Sequence, residues 1–376
     1  MSIYSVFWQV ISSSFIFVAG IILSTKMAKF FNHNQKRSLY IYFWHTAWCL
    51  VYSQYVESSG GDAVGYYLNS FDLSSIEFSL GTESIWYFVH IFSSVLNLSI
   101  IGVFLIFNIF GFIGLLAFDA CLKEVTIDKT KFIRRFTTLI IFLPSASFWS
   151  SAIGKDAISF MATGLALWAA LNFKSRIWLL AVAVLLMLIV RPHMAGLMVL
   201  SFAASLIFMK RLSFATRAVL SVLALVVSII LVPFALSYSG ATESDNLNDY
   251  FEQRQGYNLE GGGAVDIASM SFAEKLFTYL FRPLPHEAES LFALAASIDN
   301  LALLLLVILS VKNIFRKSSL PVRVNAYFLW LYCISAWIIL SLTTANLGIS
   351  VRQKWMFVPV MIYLLVSWIG RASRKQ

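Results

Sequence analysis

Long apolar stretches separated by short polar segments recur along the whole chain. Several approach roughly 18 to 20 residues, the length that an α-helix needs to cross the hydrocarbon core of a bilayer. They predict about eleven membrane spans, near residues 3–23, 39–55, 98–121, 136–150, 157–173, 177–190, 194–209, 218–238, 291–311, 325–344 and 355–370. We therefore expect an all-α polytopic membrane protein that forms a single integral membrane domain over residues 1–376.

Two stretches depart from this pattern. Residues 82–97 are apolar on one side only, which predicts a helix that lies at the membrane interface or enters the bilayer partway. Residues 142–156 place Pro144 and a serine-rich run between two apolar stretches, which predicts short, broken helices. Irregular backbone at that depth is tolerated only against protein or a water-filled cavity.

Two large polar segments are predicted on the outer side, at about 56–97 and 239–290. The second is rich in Asn, Gln, Tyr and acidic residues, and its stretch 271–281 alternates as an interfacial helix would. The polar loops predicted on the inner side are short and lack a GxxxxGK[ST] motif, which argues against an ATP-driven pump.

Composition supports the membrane interpretation. The chain is 59% hydrophobic and 12% charged, with a mean hydropathy of +0.78, whereas soluble domains are about 25% charged. Its net charge of +9 does not indicate nucleic acid, because most cations fall in short segments between spans, as the positive-inside bias predicts. That bias places the N-terminus outside and the C-terminus inside. Cys49, Cys121 and Cys333 fall in or at the ends of spans and are interpreted as small apolar residues.

Some cations do not fit the topology rule. They are Lys155, Arg191, Arg254, Lys275, Arg282, Arg352 and Lys354. Arg254 and Lys275 lie in an acidic outer loop and are interpreted as solvated. The other five each lie at a helix break or tight turn near the predicted outer surface, and four prolines share these breaks.

These five cations predict an anion site. Arginine suits bidentate contact with phosphate, and lysine adds a point charge, so a pyrophosphate at the outer leaflet would fit Arg191, Arg282 and Arg352, with Lys155 and Lys354 as secondary ligands. Two alternatives stay open. The cations could be interfacial anchors that extend to lipid headgroups, or Lys155 could belong to an internal ion pair with its neighbour Asp156.

Candidate bases lie near these cations in the sequence. Asp62, His193, His286 and Glu287 could each take a proton from an acceptor hydroxyl. Asp62 could instead cap a short helix, and either histidine could bind backbone at a helix end. A divalent cation bound through Asp62 and Asp72 also stays open, although no transition-metal motif is present.

Other residues were assigned from their surroundings. Tyr66 and Tyr67 offer flat faces for sugar rings, although aromatic residues are equally common at membrane interfaces. His45 and His90 lie in apolar stretches and are interpreted as hydrogen-bonded core or interfacial residues.

Four segments carry a family resemblance. LPSASFWSSAIGKDAI, LIVRPHMAGLM, YLFRPLPHEAESLFALAASIDNL and TTANLGISVRQKWMFVPV resemble segments of bacterial O-antigen and exopolysaccharide repeat-unit polymerases of the Wzy and EpsG type. The resemblance is spread over most of residues 55–370. It implies a GT-C-like, multi-pass glycosyltransferase of the inner membrane that joins oligosaccharide units carried on undecaprenyl pyrophosphate at the periplasmic face.

The resemblance also implies roles and partners. Periplasmic arginines would hold the pyrophosphates, a base would activate the acceptor hydroxyl, and no metal or other cofactor would be required. Flippase and chain-length regulator proteins would be partners. Two alternatives remain, a GT-C glycosyltransferase that adds a single sugar from a polyprenyl phosphate donor, and a transporter or flippase of lipid-linked sugar. A transporter would predict related halves and charges at the midplane, and the sequence shows no clear internal repeat.

Overall fold

Helices make up all the regular elements in the described part of the chain. The computed structural model describes residues 7–74, 76–208, 213–239, 255–256, 263–311 and 324–369. The α-helices are α1 (Phe7–Phe30), α2 (Gln35–Ser59), α3 (Asp62–Asn69), α4 (Thr82–His90), α5 (Ile100–Val125), α6 (Lys131–Ile141), α7 (Pro144–Ser150), α8 (Lys155–Leu171), α9 (Phe173–Val190), α10 (Pro192–Phe208), α11 (Phe214–Ser239), α12 (Phe272–Phe281), α13 (Leu291–Val311), α14 (Ala326–Thr343), α15 (Leu347–Gln353) and α16 (Val358–Trp368). A π-helical turn follows α4 at Ile91–Val95, and 3₁₀ turns occupy Pro285–Glu287 and Lys354–Met356.

The membrane-spanning class is supported, but the predicted number of spans is not confirmed. Among the described residues, five helices are long and apolar enough to cross a membrane, namely α1, α5, α9, α13 and α14. The bent pair α15 and α16, which meet at 66°, would make a sixth. Most of the other predicted spans coincide with helices, but 136–150 falls across the break between α6 and α7, α8 and α10 have only 17 residues each, and α2 carries many polar side chains.

Both irregular stretches are helical where the sequence predicted it. α4 and its π-helical turn cover nearly all of residues 82–97. The predicted break is confirmed, because α6 ends before Pro144 and α7 is a separate helix of seven residues with Pro144 at its start. The predicted helix at 271–281 is α12, which Ser271 and Glu274 cap reciprocally.

The half-helix α7 is held at both ends by other helices. At its start, the Asp299 carboxylate of α13 accepts a hydrogen bond from the Ser145 backbone N–H at 2.8 Å. At its end, Ser150 Oγ lies 2.9 Å from His45 Nε2 of α2. His45 Nδ1 lies 2.6 Å from the side-chain oxygen of Asn108 in α5, so His45 is satisfied on both ring nitrogens, as predicted. The Asp299 carboxylate thus satisfies a backbone N–H that the helix break leaves without an intrahelical partner.

The core lies where α5 crosses α8. Every residue of α8 after Lys155 is buried, and α5 is the most buried of the candidate spans. At the crossing, Gly164 of α8 lies so close to α5 that an added Cβ would be 2.5 Å from the Gly114 carbonyl oxygen. Small residues at such a crossing let two backbones approach closely, which is how helices associate without a hydrophobic driving force in lipid.

We expect Gly164→Ala to destabilise the protein by about 1–3 kcal/mol, because its methyl group must push α5 and α8 apart. The measurement is thermal unfolding of the purified protein in detergent. The control is Gly65→Ala on α3, where an added Cβ meets nothing within 4 Å. Equal melting temperatures for the two variants would contradict this view of the crossing.

Candidate functional site

Three separate helix ends converge on one buried carboxylate. Asp156 lies in the first turn of α8, Arg191 lies in the break between α9 and α10, and Arg352 lies in the last turn of α15. Gly154 caps α8 with φ +143°, a backbone conformation that glycine adopts without strain. The helix breaks, which glycine and proline mark in the sequence, therefore bring these three side chains together.

The contacts form a chain of ion pairs. Asp156 Oδ1 accepts a hydrogen bond from Arg191 Nη2 at 2.9 Å, and Asp156 Oδ2 accepts one from Arg352 Nε. Arg352 Nη1 also donates to Asp62 Oδ2 at 2.7 Å. The Asp156 side chain is 8% exposed, whereas that of Asp62 is 57% exposed. We call Asp62, Lys155, Asp156, Arg191 and Arg352 the Asp156 cluster.

Two further contacts surround the cluster. Lys155, largely buried beside Asp156 in the chain, donates to Thr82 Oγ1 at 3.0 Å at the start of α4. The Arg352 guanidinium carbon lies 5.9 Å from the centre of the Trp149 ring, which allows a cation–π contact. The Arg191 Nε–H is buried and has no hydrogen-bond partner. The cluster thus retains an unsatisfied donor besides its exposed carboxylate.

Two backbone contacts brace the elements around the cluster. The Gly81 N–H before α4 donates to the Ile189 carbonyl at 2.8 Å, just before Arg191. The segment at Ala264 pairs as an isolated antiparallel bridge with Asn346, just before α15. These contacts tie the loops on both sides of the cluster to the helices that carry its arginines.

Arg282 has a different partner. Its Nε donates to Glu287 Oε1 at 2.8 Å, within the turn that joins α12 to α13. Partial burial acts to raise the pKa of Glu287, but the hydrogen bonds from Arg282 and from the Leu284 N–H outweigh burial and hold that pKa below its ordinary value of 4.5. The proposed base Glu287 is therefore an ionised partner of Arg282 here.

Lys354 lies in a second buried site. It is 2% exposed and donates through Nζ to the Asn300 side-chain oxygen. Asn300 in turn donates to the Pro283 carbonyl at 2.9 Å. Asp299 and Lys354 line a small cavity with Trp355. The five predicted anion ligands therefore divide into three at Asp156, with Arg282 and Lys354 each held elsewhere.

The remaining candidate site residues are two histidines and two tyrosines. His193 lies in the first turn of α10, two residues from Arg191, and His286 is exposed in the 3₁₀ turn. Tyr66 and Tyr67 are both 5% exposed. The Tyr66 ring lies against Gly154, and the Tyr67 hydroxyl donates to the Leu98 carbonyl at 2.9 Å. Neither tyrosine presents an open face to a sugar.

The alternatives raised for two acidic residues are also resolved by position. The helix-cap position before α3 is Gly61, and Asp62 is the first helical residue, with its carboxylate on Arg352. The ion pairs of Asp156 are with Arg191 and Arg352, rather than with Lys155, the alternative that the sequence left open. Within the described residues, no group of three His, Cys, Asp or Glu side chains could hold a metal ion.

Comparisons with protein-family models, with curated proteins and with solved structures found no match to this chain. What the candidate site can bind or catalyse is therefore inferred from its geometry alone.

Sequence reasoning missed two residues of the sites. The sequence suggested only Lys155 as a partner of Asp156, and it predicted no role for Asp299. Asp299 carried a usable signal, because it is the one acidic residue within the apolar helix α13, and ionisable residues inside membrane helices are costly unless they have a role.

The cluster is suited to bind an anion beside an exposed carboxylate. Asp156 holds two guanidinium groups in fixed positions, and Lys155 adds a third positive charge nearby. With Asp62 included, three cations face two carboxylates, so the cluster carries a net positive charge. Removing water from such a site strengthens its interaction with an anion.

We expect Asp156→Asn to destabilise the protein by about 3–5 kcal/mol, because it leaves two buried guanidinium groups without their counter-charge. The measurement is chemical or thermal unfolding in detergent. The control is Asp72→Asn, since Asp72 is exposed and accepts a hydrogen bond from the nearby Ser74 N–H. Equal stability of the two variants would show that Asp156 does not hold the arginines together.

A pH effect is expected at the Arg282 turn. Because the Glu287 pKa is lowered in the folded protein, its ion pair contributes stability above the ordinary pKa of 4.5, and this contribution is lost as pH falls through the folded pKa. Both side chains are partly exposed, so the effect is below about 1 kcal/mol. Wild type should melt above Glu287→Gln at about pH 7, and the difference should shrink as pH falls below 4.5 and through the lowered pKa of Glu287.

The matched control for this measurement is Glu289→Gln, an exposed residue of the same turn. A wild-type advantage over Glu287→Gln that persisted unchanged at the lower pH would show that charge is not its origin.

Proposed function

We propose that this chain is a bacterial polysaccharide polymerase of the inner membrane, which joins oligosaccharide repeat units carried on undecaprenyl pyrophosphate at the periplasmic face. The observation that carries the proposal is the pair of arginines, Arg191 and Arg352, held on one buried carboxylate at a set of helix breaks. The resemblance of the four segments that contain these breaks supports the same activity.

In this proposal the cluster binds the pyrophosphate of the donor. Arg191 and Arg352 contact its oxygens, Lys155 adds positive charge, and Asp156 keeps both guanidinium groups in position. As the bond between sugar and pyrophosphate breaks, negative charge grows on the leaving oxygen, and fixed cations stabilise that charge. A base takes the proton of the acceptor hydroxyl, and Asp62 is the candidate that lies in the cluster itself.

The proposed orientation puts the N-terminus in the periplasm and the C-terminus in the cytoplasm. The cluster then lies near the outer leaflet, where a lipid-linked donor and acceptor both arrive. The large outer segment predicted at 239–290 lies partly outside the described residues, and Arg254 lies outside them.

A second candidate function is transfer of a single sugar from a polyprenyl phosphate donor. It is favoured by the division of the cations. Only Lys155, Arg191 and Arg352 gather at Asp156, whereas Arg282 and Lys354 have separate partners. One group of three cations suits one phosphate-bearing donor, and polymerisation requires a second lipid carrier to be accommodated nearby.

The test is activity of the full-length protein in vesicles that contain lipid-linked oligosaccharide. We expect a ladder of products of increasing length. A single-sugar increment with a polyprenyl phosphate sugar would support the second candidate instead. Movement of the intact lipid-linked substrate across the bilayer with no ladder would overturn both.

Arg191→Ala and Arg352→Ala should each lower the rate at least about 100-fold, because each removes one fixed donor from the leaving group. The control is Arg135→Ala, an exposed arginine of α6. Insertion and folding are checked by the melting temperature of each variant. Full activity of both cluster variants would show that the phosphate site lies elsewhere.

A further inference from the structure

Arg352 is shared between two carboxylates in very different surroundings. Its Nε donates to Asp156, whose side chain is 8% exposed, and its Nη1 donates to Asp62, whose side chain is 57% exposed. A buried pair loses much when one partner is removed, because the remaining charge is left without solvent. An exposed pair contributes little, because water screens and replaces it. The bond to Asp62 is therefore the one that an incoming anion can replace.

The position of Asp62 in the chain suits such an exchange. It is the first residue of α3, a helix of eight residues, and it follows Gly60 and Gly61. Gly61 has φ +135°, a conformation open to glycine and strained for other residues. The remainder of α3 is held by buried Tyr66 and Tyr67. The carboxylate can thus leave Arg352 through a change in its own side chain and turn, while α3 stays packed.

The cluster also contains a hydrogen-bond donor that has no partner. The Arg191 Nε–H is buried without a partner, and the Arg191 residue is 9% exposed. An oxygen of a bound phosphate would satisfy such a donor, whereas the present carboxylates do not. This gives an anion a favourable contact beyond the one that it takes from Asp62.

We propose that a phosphate oxygen of the donor displaces Asp62 from Arg352, and that the released Asp62 carboxylate then serves as the base. This deepens the proposed function and rests on it. While Asp62 is paired with Arg352, its Oδ2 already accepts the Arg352 Nη1–H and is not available to the proton of an acceptor hydroxyl. Once the pair is broken, the carboxylate is free beside the site where the acceptor arrives.

The reaction balances as follows. The acceptor hydroxyl oxygen forms a bond to the anomeric carbon of the donor sugar, and its proton passes to an Asp62 oxygen. The bond between that carbon and the pyrophosphate oxygen breaks, and the electron pair stays on this oxygen of the departing lipid pyrophosphate, whose negative charge the cations of the cluster stabilise. The base is therefore released only when a donor is bound.

The test measures binding of inorganic pyrophosphate to the full-length protein in nanodiscs by calorimetry, without any sugar substrate. Asp62→Asn removes the competitor for Arg352. We expect it to bind pyrophosphate about two- to five-fold more tightly than wild type, as loss of an exposed ion pair implies. The same variant should lose sugar transfer at least about 100-fold, because the base is gone.

The control is Glu57→Gln, an exposed residue near the end of α2 that loses the same charge five positions before Asp62. It should bind pyrophosphate as wild type does. Asp62→Ser serves as a second variant, and the melting temperature of each confirms folding. Unchanged or weaker pyrophosphate binding in both folded Asp62 variants would overturn the exchange.

Arg352→Ala distinguishes a misplaced anion site from a failure of the Asp62 exchange alone. If it binds pyrophosphate as tightly as wild type, the anion site itself is misplaced and both the proposed function and the exchange fail. If its binding is weakened but Asp62→Asn shows no gain, the anion site stands and only the displacement of Asp62 is rejected.

Discussion

The buried Asp156 carboxylate, placed between two guanidinium groups, is the interaction around which the rest of the site is arranged. Neither arginine could be buried at a helix break without a counter-charge, because an isolated charge in a medium of low polarity is very costly. Asp156 supplies that charge from the first turn of α8 and fixes where α15 and the break after α9 can lie. The close packing of α5 on α8 in turn fixes where Asp156 lies.

The same constraint explains why the bundle contains so many short helices. A continuous helix would carry each cation to a different depth or onto a different face. Breaking the chain at Pro144, at Arg191 and between α15 and α16 creates helix ends with free backbone groups. Side chains then satisfy those groups, as Asp299 does at α7. The irregular backbone is tolerated because it is buried within protein.

The sequence predicted the helical class, the breaks and the arginines that come together, because each has a strong local signal. Apolar runs mark helices, proline marks breaks, and a cation outside the positive-inside loops stands out. The sequence did not predict which charged residues pair with one another. Asp156 lies next to Lys155 in the chain, but its partners are 35 and 196 residues away. The separation of Lys354 from the other cations was equally hidden, since it depends on Asn300 in a different helix. The predicted number of spans is not confirmed for another reason, because α8 has only 17 residues, and α2, although it has 25 residues, carries many polar side chains.

The hydrogen bond that caps α7 requires a residue that is synthesised much later than α7 itself. Asp299 follows Ser145 by 154 residues, which at bacterial or eukaryotic synthesis rates is a delay of roughly 8–30 s. Throughout that interval the Ser145 N–H at the start of α7 lacks its carboxylate acceptor. The polar backbone at this helix break therefore stays uncapped until α13 has been made, and any factor that shields polar backbone during synthesis would act on α7 in that interval.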